Sequence, residues 1–235
     1  MSGLVLAIDT AAARCAACVY DPSDGVVLAR ADPEIGRGHA ERLMDILSSV
    51  LAEASAEFAD IGKIAVTVGP GSFTGLRVGV AAARGLALAR GVPAVGVSTL
   101  EALAEPHLDR GDPVLAVIDA KRGELYAALY GATGACLLEP AAVAPEDLAG
   151  RIGALGLQGP MTLVGTGATI AAAILDRARI GTVREDVTCD IAVVARLGAA
   201  RPAGHAPVPL YLRGPDAKAQ ANAAIARAEH EVAVP

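Results

Sequence analysis

Short apolar segments alternate with segments of helical periodicity along the first half of the chain. Residues 64–68 read Ile-Ala-Val-Thr-Val, which is short, uncharged and typical of a strand buried on both faces. A turn rich in glycine follows at 69–75, and a helix is predicted over 76–90. Over 40–51, apolar residues recur at helical spacing and form one stripe. This order of strand and helix predicts an α/β protein.

The strand pattern of the first 30 residues occurs a second time. One strand ends at Asp9 and another at Asp119, and each aspartate has a tyrosine eleven positions later, Tyr20 and Tyr130. Each copy then continues with two more strands, predicted over residues 15–20, 26–30, 124–130 and 135–138. Helix and strand signals follow both copies. The repeat predicts a duplicated α/β domain.

The duplication sets the predicted domain organisation. The first lobe is expected over residues 1–106 and the second over 107–213, with the boundary in the polar segment 105–113, which contains two prolines and a glycine. The second half has a weaker pattern, in which a strand-to-turn element is predicted at 163–167 and helices at 170–177 and 191–200. Residues 214–235 are predicted to form a flexible C-terminal tail.

Composition fits helices covering parallel sheets. Of the 235 residues, 53% are hydrophobic but only 3% are aromatic, so the core must be built from Ala, Val, Leu and Ile. The net charge of −6 argues against nucleic-acid binding by this chain alone, because neutralising phosphates requires a basic surface. Any contact with RNA would therefore depend on a partner.

The apolar segments are also too short to span a membrane. Charges or glycines interrupt them well before the roughly 20 residues that a membrane span requires. The N-terminus lacks the charged and apolar regions of a signal peptide. These patterns predict a cytoplasmic protein with no membrane partner.

Cys15 and Cys18 form a C-x-x-C motif, but the motif lies in a predicted strand. Side chains three positions apart in a strand point to opposite faces of the sheet. We therefore expect two buried thiols rather than a zinc site or a redox pair.

The glycine-rich turn has the setting of an anion site, since a strand precedes it and a helix follows. Its sequence does not match the known phosphate motifs. No Lys-Ser/Thr follows the last glycine, as a P-loop requires, and the spacing G-x-G-x-x-x-G is not that of a dinucleotide fingerprint. Ordinary phosphate chemistry does not explain this turn.

Several segments resemble the bacterial TsaB (YeaZ) family. The segments are Leu6-Ala-Ile-Asp-Thr10, Gly69-Pro-Gly-Ser-Phe-Thr-Gly-Leu-Arg77, Arg84-Gly-Leu-Ala-Leu88, Gly96-Val-Ser-Thr-Leu100, Ile118-Asp-Ala-Lys-Arg-Gly-Glu-Leu-Tyr126 and Pro209-Leu-Tyr-Leu-Arg213. The similarity extends over residues 4–213 and is strongest in the first half.

The resemblance implies a fold and a function. The fold would be that of the actin, hexokinase and Hsp70 (ASKHA, RNase H-like) superfamily, with two lobes of which the second is smaller and degenerate. The function would be that of a non-catalytic scaffold or activating subunit that binds the paralogous enzyme TsaD as a heterodimer. That complex makes N6-threonylcarbamoyladenosine at position 37 of tRNAs from threonylcarbamoyl-adenylate, with the small ATPase TsaE as third component and tRNA bound only through the complex.

The resemblance also implies that this chain has no catalytic residues and no metal site of its own. The paralogous enzyme carries a His-x-x-x-His metal motif, and the matching positions here are Ser98 and Ala102. Neither residue is a metal ligand. No cofactor is expected on this chain alone, and ATP or ADP and a metal would enter the complex through the partner.

Asp9 and Asp119 are the candidate nucleotide-binding residues, because actin-like ATPases place carboxylates for hydrated Mg²⁺ at these strand ends. The competing interpretation is that each aspartate caps its own turn. The first interpretation leaves open an alternative function, a small-molecule kinase or ATPase of the actin/hexokinase fold.

The two helices of the first lobe, 40–51 and 76–90, are the candidate partner-binding surface that the resemblance implies. Glycine inside a helix costs ~1 kcal/mol relative to alanine, so the spacing of Gly75, Gly79 and Ala83 requires a close neighbour, either a partner or the lobe's own sheet. Arg77 and Arg84 would pair with carboxylates of the partner. The remaining candidates of this surface are His39, Leu43 and Leu47. Whether the isolated chain forms a homodimer stays open.

Overall fold

The first lobe is a mixed five-stranded sheet with two long helices on one face. The computed structural model describes residues 3–186 and 188–213, so the predicted tail at 214–235 lies outside the described residues. The elements of this lobe are β1 (Leu4–Asp9), β2 (Ala16–Asp21), β3 (Val26–Ala31), α1 (His39–Glu53), β4 (Ile61–Gly69), α2 (Phe73–Arg90), β5 (Ala94–Ser98) and α3 (Thr99–Ala104). The strand order is β3-β2-β1-β4-β5, in which β1 pairs antiparallel with β2 and parallel with β4.

The second lobe repeats this arrangement with shorter outer helices. Its elements are β6 (Val114–Asp119), β7 (Leu125–Tyr130), β8 (Cys136–Val143), α4 (Pro145–Ala154), β9 (Met161–Val164), α5 (Ala168–Ile174), β10 (Ile180–Arg184) and α6 (Ile191–Ala200). The order β8-β7-β6-β9-β10 matches that of the first sheet, strand for strand. Short 3₁₀ helices lie at Phe58–Asp60, Glu105–Arg110 and Arg177–Arg179. The shared topology confirms the predicted duplication and the two-lobed α/β fold.

The elements stack in five layers. Helices α1 and α2 pack on the outer face of the first sheet, and α4 and α5 on the outer face of the second. Helices α3 and α6 lie between the two sheets, in one apolar cluster to which both sheets contribute side chains, among them Ala7, Ala65, Ala116 and Ala128. The two lobes therefore share a continuous core, which we call the interlobe core.

Helix α6 follows the second lobe in sequence but packs on the first sheet. At Gly198 a Cβ atom would lie 2.3 Å from the Cβ of Ala65, so glycine permits this close approach. The Lys63 ammonium, on β4, donates hydrogen bonds of 2.7 Å to the carbonyls of Ala199 and Arg201 at the end of α6. Burial lowers the pKa of Lys63. The segment predicted as the second lobe, 107–213, thus returns to the first lobe at α6.

The two cysteines of the C-x-x-C motif lie on opposite faces of the first sheet. Cys15 belongs to the outer cluster under α1 and α2, and Cys18 belongs to the interlobe core. Both thiols are free, and burial raises their pKa to about 11 and about 12, respectively. This confirms the expectation of two separate buried thiols.

Helix α2 begins three residues earlier than the sequence pattern predicted, because Ser72 caps it through a hydrogen bond from the Gly75 amide to the Ser72 hydroxyl. Among the described residues, no helix combines the length and the hydropathy needed to cross a bilayer.

Candidate functional site

The glycine-rich turn packs tightly against the end of β1. A Cβ atom at Gly75 would lie 2.0 Å from the carbonyl oxygen of Thr10, and one at Gly71 would lie 2.4 Å from that of Ala11. The Ser72 amide donates a 2.7 Å hydrogen bond to the Ala11 carbonyl. The Ser72 and Gly75 amides are thus hydrogen-bonded within the lobe, and the glycines serve close packing.

The inner face of α2 continues this contact. A Cβ atom at Gly79 would lie 2.4 Å from the hydroxyl oxygen of Thr10 and 3.5 Å from a methyl carbon of Val66. Ala83, one turn further, is fully buried in the cluster under the helix. The small residues of α2 therefore fit the lobe's own sheet, which is the second of the two interpretations that their spacing allowed.

This arrangement places most of the predicted partner residues inside the lobe. Gly75, Gly79 and Ala83 face the sheet, and Leu43 and Leu47 on α1 are only 2% and 3% exposed in the same cluster. These five residues are buried within the lobe, and their contact with a partner stays a prediction. The sequence pattern detected the close approach but did not identify the surface that approaches.

His39 is also an internal residue. It is 8% exposed, and its Nε2 atom lies 3.0 Å from the carbonyl oxygen of Ala12 and 3.1 Å from that of Arg14. Since both oxygens can only accept, Nε2 carries the proton and donates to them. His39 therefore fixes the segment after β1, and its predicted place at the rim of a partner surface stays a prediction.

The outer face of α2 carries a second stripe, which we call the outer stripe. Its residues recur at spacings of three and four and are all exposed; they are Arg77, Ala81, Arg84, Gly85 and Leu88. Leu88 is 85% exposed, and a Cβ atom at Gly85 would meet no atom within 4 Å. Of the predicted partner residues, Arg77 and Arg84 belong to this stripe.

An open cavity adjoins the C-terminal end of the outer stripe. Its volume is about 510 Å³, and its lining includes Arg84, Leu88, Pro93, Gly204 and Ala206. Ala81, Gly85 and Leu88 were not among the partner residues predicted from the sequence. The same helical periodicity that marks the inner face would have found them, because the two stripes are complementary halves of one helix.

Asp9 lies at the end of β1 and is 3% exposed. Its carboxylate accepts hydrogen bonds from the Thr67 hydroxyl at 2.5 Å, from the Ala11 amide at 2.9 Å and from the Cys189 thiol at 3.4 Å. The amide two residues on is the partner expected of an aspartate that caps its turn. The carboxylate is thus enclosed by neutral donors of the protein itself.

Asp119 has the same local turn in a different environment. It accepts from the Lys121 amide at 2.8 Å and pairs with the Lys121 ammonium at 2.7 Å. These contacts lower the pKa of the Asp119 carboxyl, chiefly through the side chain of Lys121. The Asp119 side chain is 25% exposed, whereas that of Lys121 is 81% exposed.

The two aspartates do not converge on one space. Side chains alternate along a strand, so Asp9 shares its face with Val5 and Ala7 in the interlobe core. Asp119 shares its face with Leu115 and Val117, which pack in the outer cluster of the second lobe. A magnesium ion held jointly by both carboxylates would need them on the same side.

Of the two positions that the resemblance aligns with the paralogous metal motif, one is buried and the other is half-buried. Ala102 is fully buried in the interlobe core, and the Ser98 hydroxyl donates a hydrogen bond to the Gly69 carbonyl. Within residues 3–186 and 188–213, no group of three or more His, Cys, Asp or Glu side chains is placed to hold a metal ion.

Comparison with known proteins relates this chain to a described family. Residues 24–195 match the family model described as TsaD: tRNA N6-adenosine threonylcarbamoyltransferase. An uncharacterized protein of Mycobacterium tuberculosis (strain H37Rv) is 37% identical over 214 residues, which are 91% of this chain and 93% of that protein. The protein of Escherichia coli (strain K12) called tRNA threonylcarbamoyladenosine biosynthesis protein TsaB is 39% identical over 128 residues.

The match to the Escherichia coli protein covers 54% of each chain, so it spans about half the length of that relative. The structure agrees over a larger part. YeaZ from Pseudomonas aeruginosa superposes with a TM-score of 0.75 at 26% identity, covering 89% of this chain and all of that one.

Proposed function

Because the chain belongs to the TsaB (YeaZ) branch of the family described as TsaD, tRNA N6-adenosine threonylcarbamoyltransferase, we propose that it acts in cytoplasmic synthesis of tRNA threonylcarbamoyladenosine. Its role there is that of a scaffold or activating subunit. It binds the paralogous TsaD enzyme as a heterodimer, and that enzyme modifies adenosine 37 of the tRNA. The chain itself carries out no chemical step.

The observation that carries the proposal is the outer stripe of α2. The stripe combines a leucine that is 85% exposed, two arginines and a helical glycine that has no neighbour within 4 Å of its would-be Cβ. Arginine is enriched in protein interfaces, and small residues let a second helix approach closely. The open cavity beside Leu88 offers room for a side chain of the partner. These features favour a helix of another chain as the ligand.

The charges of the stripe suggest the chemistry of the partner surface. Arg77 and Arg84 project from the same side of α2 in a chain whose net charge is −6. Carboxylates on the partner helix would pair with them and fix the register of the two helices. A homodimer through the same stripe would bring like charges together, which favours the heterodimer when the paralog is present.

The residues at the two positions of the metal motif, Ser98 and Ala102, favour a non-catalytic role. Ala102 fills the interlobe core, where the paralogous enzyme is expected to hold a histidine. Ser98 uses its hydroxyl within the lobe. Any nucleotide or metal that the complex requires is therefore expected on the partner or on TsaE.

The alternative of a small-molecule kinase or ATPase finds less support. Asp9 is enclosed by Thr67, Ala11 and Cys189, and Asp119 lies on the other side of its sheet. Neither carboxylate is free in the interlobe space to order a hydrated magnesium ion beside a nucleotide.

Reconstitution tests the proposal. Purified paralog, TsaE, threonylcarbamoyl-adenylate and unmodified tRNA are combined with and without this chain, and modified adenosine is measured by mass spectrometry. We expect modification only when the chain is present, and none when the chain replaces the paralog. Full modification without the chain, or modification by the chain alone, would refute the proposed role.

The isolated chain should bind tRNA weakly or not at all near physiological salt, because its acidic surface releases no counterions from the phosphates. A gel-shift titration measures this, with the complete complex as the positive control. Tight tRNA binding by the chain alone would contradict the assignment of tRNA contacts to its partners.

A further inference from the structure

The last described segment, residues 207–213, crosses the surface from one lobe to the other, and we call it the strap. It forms neither helix nor strand. It starts beside β5, where a Cβ atom at Gly96 would lie 3.4 Å from the Cβ of Pro207. The Leu210 amide then donates a 2.7 Å hydrogen bond to the Val68 carbonyl at the end of β4. The strap therefore runs over the carboxyl edge of the first sheet.

Tyr211 attaches the strap to the first lobe. Its hydroxyl accepts a 2.9 Å hydrogen bond from Nε of Arg77, and its ring lies 5.5 Å from that of Phe73. The Arg77 guanidinium stacks 3.7 Å from the centre of the Phe73 ring. This arrangement holds three side chains together although Phe73 and Tyr211 are each about half exposed.

Arg213, two residues further, attaches the strap to the second lobe. Its guanidinium forms an ion pair with Glu124 and donates a 3.3 Å hydrogen bond to the Lys121 carbonyl. It also lies 5.8 Å from the centre of the Tyr126 ring. The Arg213 side chain is 22% exposed, so these contacts are partly shielded from water. They all belong to the turn between β6 and β7 and to the start of β7.

Leu212 lies between the two attachment points and packs against the interlobe core. We propose that the strap is a clasp: it joins the two lobes through Tyr211 and Arg213 and seals the end of the interlobe core with Leu212. When either attachment is lost, the lobes separate locally at this end and water reaches the core, while the rest of each lobe stays folded.

Two buried cysteines make the opening measurable. Cys189 lies in the interlobe core and donates its thiol to Asp9, whereas Cys15 lies in the outer cluster of the first lobe. Burial raises the pKa of both thiols, so neither reacts with an alkylating reagent until it is exposed to water. Opening at the strap exposes Cys189 but not Cys15, whereas global unfolding exposes both.

The test is native-state alkylation of the full-length chain with iodoacetamide, followed by peptide mass spectrometry. The variants are Tyr211→Phe, which removes the hydroxyl but keeps the ring, Arg213→Gln and the double variant. We expect the double variant to label Cys189 about tenfold faster than wild type, the scale of losing hydrogen bonds to charged groups. The labelling rate of Cys15 should stay unchanged, and exposed Cys136 should react quickly in every protein.

Arg14→Ala is the matched control, since it removes an arginine ion pair with Asp32 inside the first lobe. It should leave the rate at Cys189 at the wild-type value. The clasp is ruled out if Cys15 and Cys189 accelerate together in the strap variants, which indicates ordinary destabilisation, or if Cys189 reacts at the wild-type rate in all three.

Discussion

Asp9 and Asp119 show how one residue at equivalent positions of a duplication acquires two environments. Both end the first strand of their lobe and both accept a hydrogen bond from the amide two residues on. Asp9 is buried among neutral donors, whereas Asp119 is paired with an exposed lysine. The sequence predicts the shared turn, because that turn is local. It does not predict the burial, which depends on Cys189 and Thr67 from distant parts of the chain.

The two aspartates should therefore differ in their contribution to stability. Asp9→Ala leaves the buried Thr67 hydroxyl and Ala11 amide without their acceptor, so we expect a loss of ~1–3 kcal/mol in the free energy of unfolding. Asp119→Ala removes a mostly solvent-screened pair, and we expect less than ~1 kcal/mol. Urea denaturation of both variants measures the difference. An equal or larger loss for Asp119→Ala would contradict this account of the two sites.

The Asp119 contribution should also depend on pH. Lys121 lowers the pKa of this carboxyl in the folded state, so the stabilisation is present above the ordinary aspartate pKa of about 3.9 and is lost as the pH falls through the lowered value. The difference in stability between wild type and Asp119→Ala should shrink between neutral and strongly acidic pH. Denaturation of both proteins at several pH values tests this. A stability difference that grows on acidification would contradict the lowered pKa of Asp119.

At the scale of the element, helix α2 has two faces with opposite roles. Its inner face approaches Thr10 and Val66 more closely than any side chain larger than glycine permits at position 79. Its outer stripe is open to solvent. Small residues recur at helical spacing on both faces, Gly75, Gly79 and Ala83 on one and Ala81 and Gly85 on the other, and this spacing alone does not say which face meets the sheet. That choice is fixed by the turn at 69–75, whose packing on β1 sets the rotation of the helix.

Substituting leucine for Gly79 or for Gly85 should affect stability differently, because the two glycines lie on opposite faces of α2. Gly79→Leu forces a side chain against Thr10, so we expect a loss of ~1–3 kcal/mol from overpacking. Gly85→Leu has no neighbour to displace and replaces glycine in an exposed helix, so we expect a gain of up to ~1 kcal/mol. Thermal melting of both variants decides. A destabilised Gly85→Leu monomer beside an unaffected Gly79→Leu would mean that the faces are reversed.

The second lobe shows where prediction from sequence ended. The helix predicted over 191–200 is observed as α6, Ile191–Ala200, where the Asp190 carboxylate caps the first turn by accepting a hydrogen bond from the Ala192 amide. Helix α4 was not predicted, since Gly150 and Gly153 interrupt it and only Leu148 and Ile152 are buried. Its packing on the outer face of the second sheet stabilises a helix that has a weak pattern of its own.

At the scale of the whole molecule, α6 joins the two lobes, because it follows the second lobe in sequence but packs on the sheet of the first lobe. Lys63 on β4 fixes this contact, because its ammonium donates hydrogen bonds to three carbonyls at the end of α6. The ammonium also complements the negative end of the helix dipole. Two identical sheets can be inferred from the repeat, but this crossing cannot, since β4 and α6 are separated by more than 100 residues in the chain.

Lys63→Met should loosen the attachment of α6 to the first sheet. The aliphatic stem is kept, but three hydrogen bonds are lost, so we expect the free energy of unfolding to fall by roughly 2 kcal/mol. Hydrogen exchange should rise in α6 more than in α4. Lys121→Met is the control, because its side chain is 81% exposed. If Lys63→Met changes neither the free energy of unfolding nor hydrogen exchange in α6, apolar packing alone holds the helix on the first sheet.

Association with the paralogous enzyme is the central claim, and sedimentation velocity of the two chains mixed at equal concentration tests it most directly. We predict a heterodimer for the wild-type chain, loss of that heterodimer for Gly85→Leu and Leu88→Asp, and an unchanged heterodimer for Leu155→Asp, which alters an exposed leucine on the second lobe. A mixture that sediments as two separate species, or outer-stripe variants that still co-sediment with the enzyme, would contradict the account.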